Sequence, residues 1–177
     1  MKIFLLFASL QISFFASAQT EVKWLTHKDS VYNLSIQYPS DWQLKPPGPK
    51  NRFFVTSFQE SGEDKFRENL NCITPRDVEK GATIQMAKDK TVKALSENFS
   101  DFKIINSGYS KWNNVSSFEI EYTYKQTSDN TTYNLHMLQR MAIIKGKFYT
   151  LTYTSLSGSY EKYISKIRRM IQSFKVL

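Results

Sequence analysis

From residue 101 to residue 155 the chain alternates polar and apolar side chains in long segments separated only by two- or three-residue turn signals. That pattern leaves room for little besides an antiparallel meander, because parallel strands need long crossovers between them. Val115 to Gln126 is the clearest case. Phe118, Ile120, Tyr122 and Tyr124 fall on one side, and Glu119, Glu121, Thr123 and Lys125 on the other, the period of a strand with one buried face. Ser128-Asp129-Asn130 then turns the chain into Thr132 to Ile144, and Lys145-Gly146-Lys147 turns it into Phe148 to Ser155. Asp101 to Tyr109 precedes these strands, with a turn at Trp112-Asn113-Asn114.

Upstream, Val31 to Tyr38 alternates in the same way and stops at Tyr38-Pro39-Ser40-Asp41-Trp42, where Pro39 sets a turn and Trp42 is placed to fold back onto the core. Arg52 to Phe58 and Asn69 to Thr74 read as further strands, and the charged segment Gln59 to Arg67 as the loop between them. Pro46, Pro47 and Pro49 mark an exposed loop.

Two segments have helical spacing. In the first, Ile84, Ala87, Val92, Leu95 and Phe99 recur on one side. It has two candidate starts, Thr74-Pro75-Arg76-Asp77 or about Thr83, the second because Gly81 delays a regular helix. In the last segment Tyr160, Tyr163, Ile164, Ile167, Met170, Ile171 and Phe174 form one apolar stripe behind Ser159 as the cap, and late positive charges suit its C-terminus. Strands, helix, strands, helix is an α+β order, a largely antiparallel sheet covered by helices.

The segment Tyr32-x-Leu34-x-Ile36-x-Tyr38-Pro39-x-x-Trp42, the Glu68-Asn69-Leu70 triplet ahead of the first helix, the long middle hairpins and the final helix ending in Ser173-Phe174-Lys175 together resemble the PsbP-like superfamily. That group includes the extrinsic PsbP subunit of photosystem II, bacterial periplasmic DcrB-like proteins and a nuclear Ran-GTPase-binding protein. The resemblance implies an α/β/α sandwich with helices on both faces of a central antiparallel sheet. It also implies a binding or assembly module, with no shared catalytic set to carry over.

The first eighteen residues set the expected address. Met1-Lys2, the apolar run Ile3 to Phe15 and Ala16-Ser17-Ala18 form the pattern of a cleaved secretory leader. The expectation is export to the periplasm or beyond, with Gln19 as the mature start, no lipid anchor and residues 19–177 as one domain. The net charge of +8 falls to +7 once Lys2 leaves with the leader. For an exported protein this points to acidic proteins, glycans or headgroups as partners, and not to nucleic acid. The sequons at Asn33, Asn98, Asn114 and Asn130 carry little weight in a chain read as bacterial.

Few residues offer chemistry. Cys72 is the single cysteine and sits in the apolar phase of its segment, so no internal disulfide forms and a buried small side chain is expected. His136 reads as a sheet histidine, with a Cys72–His136 dyad as the reactive alternative, and Glu119 and Glu121 are placed to share a cation or form a carboxylate pair. Hydrolase, redox and zinc motifs are missing, so no catalytic residue, metal or cofactor is expected. For partner binding the candidates are the basic stripe Lys162, Lys166 and Arg169 and the aromatics Tyr149, Tyr153 and Trp112, the aromatics forming either core or an exposed groove. The function expected is an exported, non-catalytic binding or assembly module. The alternative is a carrier of a small apolar or anionic ligand held between sheet and helix, and an enzyme ranks last.

Overall fold

The meander is the backbone of the fold. The computed structural model describes residues 22–112 and 114–177, so the proposed leader and Asn113 of the Trp112-Asn113-Asn114 turn lie outside the described residues. Strands β7 (Ser100–Trp112), β8 (Val115–Ser128), β9 (Thr131–Ile144) and β10 (Lys147–Leu156) run antiparallel in sequence order. Ser128 pairs with Thr131 and Ile144 with Lys147. Each hairpin therefore closes over two residues, and all four, Asp129, Asn130, Lys145 and Gly146, have positive φ. That is the I′ geometry whose twist matches the strands, and Asn, Asp and Gly accept it at least cost.

The sheet continues past β10 through β5 (Asn69–Ile73), β4 (Asn51–Ser57) and β3 (Trp42–Lys45), giving eight strands with β7 and β3 at the edges of the main path. The eighth, β6 (Arg76–Asp77), pairs with the start of β10 just beyond Pro75. A smaller sheet holds β1 (Trp24–Asp29), β2 (Leu34–Pro39) and β11 (Lys175–Val176).

One helix lies on each face of the large sheet. Helix α1 (Ile84–Asn98) covers a layer built from Phe118, Ile120, Tyr122, Leu135, Met137, Met141 and Phe148. Helix α2 (Tyr160–Ser173) and the small sheet cover the other face, where Leu34, Ile36, Phe53, Leu70, Leu138, Leu151 and Phe174 meet. Alternation along β8, β9 and β10 assigns odd and even positions to the two layers, which produces the helices-on-both-faces sandwich.

Some local expectations shift. Thr83 caps α1, its hydroxyl accepting from the Met86 N–H at 3.2 Å, so the later start is correct and the Pro75 start is not. Arg76 and Asp77 are instead drawn into pairing with β10. Ser159 precedes α2 but makes no side-chain cap bond, and the last turn of α2 holds no basic residue. Strands β1, β3 and β11 go beyond the sequence reading. β3 and β11 are too brief to show alternation and exist because the longer strands beside them supply partners, while β1 pairs along its whole length with the equally long β2.

Candidate functional site

The basic stripe of α2 is tied down by the chain itself. Lys162 Nζ meets Glu60 Oε1 at 2.5 Å, and the Tyr163 hydroxyl donates to the same oxygen. Lys166 pairs with Asp41, in the turn between β2 and β3. The Arg169 guanidinium lies 4.0 Å from the centroid of the Trp24 ring on β1. Each of the three candidates thus clips a different loop or strand to the helix. Such exposed pairs contribute little free energy one at a time, but here they position the β2–β3 turn, the β4–β5 loop and β1.

The three aromatic candidates are core. Tyr149 and Trp112 are 2% exposed and Tyr153 fully buried. Trp112 donates its indole N–H to the Ile171 carbonyl at 2.9 Å and stacks on Phe174 at 5.0 Å. Of the two readings open for these residues, the exposed groove is the one that fails. β9 and β5 flank β10, and α2 covers it, so both sides of the strand are enclosed and Tyr149 and Tyr153 cannot reach a partner. Trp42 of the Tyr-Pro-x-x-Trp segment meets Tyr163 edge-on at 5.5 Å, so that motif also anchors α2.

The reactive candidates do not converge. Cys72 is fully buried, and desolvation pushes its thiol up to about 12, which keeps it protonated and inert. Cys72 faces Leu151 on β10 while His136 faces Ser155. Two strand spacings, across β10, and four residues along it separate them, roughly 16 Å at ordinary sheet geometry, so no dyad exists. His136 Nε2 instead lies 2.8 Å from Glu121 Oε1, and its ring stacks on Tyr160 at 3.5 Å. Glu119 meets Arg140 at 2.9 Å and Arg168 at 3.1 Å. The two carboxylates therefore have separate partners and share no cation. Burial and the Glu121 charge both raise the Tyr160 hydroxyl above its usual range, holding it neutral. Among the described residues no group of three or more His, Cys, Asp or Glu side chains could hold a metal.

What sequence reasoning missed lies on the other face. Between the start of α1 and the β9–β10 hairpin is an open cleft of about 260 Å³. Ile143, Phe148 and Met86 give it an apolar floor, and Arg76, Lys80 and Lys90 stand around its rim. The Val78 N–H donates to the Gly146 carbonyl at 3.0 Å and the Ala82 N–H to the Glu79 carbonyl at 3.0 Å, which fixes the loop forming one wall. Nearby, β7 has only β8 as a strand neighbour among the described residues and leaves Ile104, Ile105 and Tyr109 exposed, and the Tyr109 hydroxyl donates to Gln85 of α1. The signal present in the sequence was the weakness of the α1 stripe.

The same fold recurs in solved structures. Cyanobacterial PsbP (CyanoP) from Synechocystis sp. PCC 6803 aligns with a TM-score of 0.61 at 18% identity, over 90% of this chain and 96% of that one. LpqN of Mycobacterium tuberculosis, described as involved in cell envelope biogenesis, aligns at 0.61 with 11% identity, over 88% and 91%. A variant of the protein Mog1 aligns at 0.59 with 7% identity, over 87% and 96%. At such identities the likeness is one of fold alone. No curated protein matches the sequence. The PsbP family model, however, matches residues 23–176, which includes every element from the start of β1 to the end of β11. By that match and the shared architecture, the chain belongs to the PsbP family.

Proposed function

We propose that this protein is an exported, non-catalytic binding or assembly module whose contact side is formed by α1 and the edge strand β7. The observation that carries the reading is a local grouping of exposed apolar side chains. Among the described residues Met86, Ile104, Ile105 and Tyr109, each roughly half exposed, belong to the adjoining elements α1 and β7, whereas Leu25, Val31, Phe58, Ile73 and Leu177 are exposed at five scattered places. A protein with no partner there would gain nothing from keeping them in water. The state of the reactive groups supports the same reading, since Cys72 is sealed and His136, Glu119 and Glu121 are held by neighbours. Export rests on the leader pattern of residues 1–18. Among the described residues no helix is long and apolar enough to cross a membrane.

The test is site-specific photocrosslinking in the envelope of the native host. A crosslinker at Ile104 or Ile105 is expected to give one discrete adduct that excess purified protein competes away and the Ile104→Asp/Ile105→Asp variant does not. Adducts arising only from a crosslinker at Lys162, with none from β7, would overturn the assignment of the contact side.

A further inference from the structure

We infer that the cleft between α1 and the β9–β10 hairpin binds a small amphipathic anion, a carboxylate or phosphate head carrying a short apolar tail. The inference rests on the binding-module reading and gives it a ligand class. Charge complementarity argues for the anion. Of the charged groups around the cleft, Asp77 is neutralised by Lys147 at 2.6 Å. That leaves Arg76, Lys80 and Lys90 facing Glu79 alone. Among the described residues neither Lys80 nor Lys90 has an ion-pair partner, in contrast with Lys162 and Lys166 on the opposite helix. Three cations around a concave, partly apolar wall raise the local concentration of anions. The first turn of α1 carries no acidic residue, so nothing on the helix offsets its positive end there.

The floor argues for the tail. Phe148 and Ile143 sit opposite each other in the β9–β10 register, and Met86 closes the helix side while remaining half exposed. The Arg76 guanidinium lies over the Phe148 ring, 5.1 Å from its centroid, joining the charged rim to the apolar floor. At about 260 Å³ the cleft is smaller than the roughly 300–1,000 Å³ that encloses drug-sized ligands. The tail must therefore be short, or leave the cleft at its open side.

Octanoate is the probe. Titrated into the ¹⁵N-labelled protein, it is expected to shift amides around Gly81, Met86, Lys90, Ile143 and Phe148 and to leave α2 unmoved. Lys80→Ala/Lys90→Ala is expected to weaken binding about tenfold, and 1-octanol, with the same tail and no charge, to bind about tenfold more weakly than octanoate. Met86→Ser tests the floor independently. All three side chains are exposed, so a thermal midpoint unchanged from the parent separates lost binding from lost fold. Vesicles of phosphatidylcholine with and without phosphatidylglycerol distinguish the source. Co-sedimentation with the anionic vesicles alone, displaced by octanoate, assigns the head to a bilayer lipid; octanoate binding without vesicle binding assigns it to a free amphiphile. Equal binding of octanol and octanoate, shifts outside the cleft, or indifference to the lysine substitutions would overturn the inference. If these occur while the β7 crosslinks persist, the binding-module reading survives without this ligand; if both fail, that reading fails as well.

Discussion

The two helices do the same architectural job with very different commitment. α2 buries Tyr160, Tyr163, Ile167, Met170 and Ile171 and is clipped at its exposed side to Glu60, Asp41 and Trp24. α1 is one residue longer yet buries only Leu95, and its Met86 stands half in water. Burying a large apolar side chain contributes roughly 1.5–3 kcal/mol. Of the two helices α2 therefore contributes more burial, while α1 leaves apolar side chains in water. The strongest amphipathic pattern in the chain marks structure; the weaker one marks the candidate site.

The largest test of that contrast is truncation within each helix. Ile167→Ala opens a hole at a fully buried site beneath α2 and is expected to cost about 4 kcal/mol. Leu95→Ala lies at the edge of the α1 layer and is expected to cost about 2 kcal/mol. Chemical denaturation of both variants measures the difference, and native-state hydrogen exchange should show α1 amides opening before those of α2. Equal costs would break the comparison.

Next in size is the joint between the two sheets. Asp29 ends β1, accepts from the N–H groups of Val31 and Tyr32, and meets Arg52 of β4 at 2.6 Å. Burial works against its charge, but Arg52 and the two backbone donors outweigh it and hold the carboxyl below its ordinary value. A carboxyl whose pKa is lowered by folding adds stability above its unfolded pKa, and that contribution disappears as the pH falls through the folded one. Asp29→Asn is thus expected to cost about 2 kcal/mol at neutral pH. The gap from the parent should narrow steadily as denaturation is repeated below about pH 4. A gap independent of pH would assign the loss to packing and not to charge.

Much of this fold was legible because the chain is locally consistent. Alternation through 115–126 and the Asp129-Asn130 and Lys145-Gly146 turns are short-range signals that tertiary contacts had no reason to override. The site was far less legible. An exposed lysine and a clipped one look alike in sequence, and only the fold brings Glu60 to Lys162 or Asp41 to Lys166. Trp112 was placed at a turn and read as a candidate contact residue, but it ends β7 and its ring lies against the end of α2. The cleft combines Arg76, Phe148 and Met86 from three separate elements, a combination with no sequence period to reveal it.

The smallest expected effect decides what the lysines of α2 are for. If Lys162 and Lys166 serve as loop clips, Lys162→Ala and Lys166→Ala should each lower stability by no more than about 1 kcal/mol, and raising the salt concentration should reduce that loss by screening the exposed pairs. The sharper readout is local. Amides of the β4–β5 loop around Glu60, or of the turn around Asp41, should exchange faster in the matching variant, while those beside the α1 cleft stay as they were. The clips and the cleft lie on opposite faces of one sheet, far enough apart for their effects to add. Octanoate affinity should therefore be untouched by either substitution. A loss of binding from α2 variants equal to that from Lys80→Ala/Lys90→Ala would mean that the overall positive charge, and not the cleft, recruits the anion.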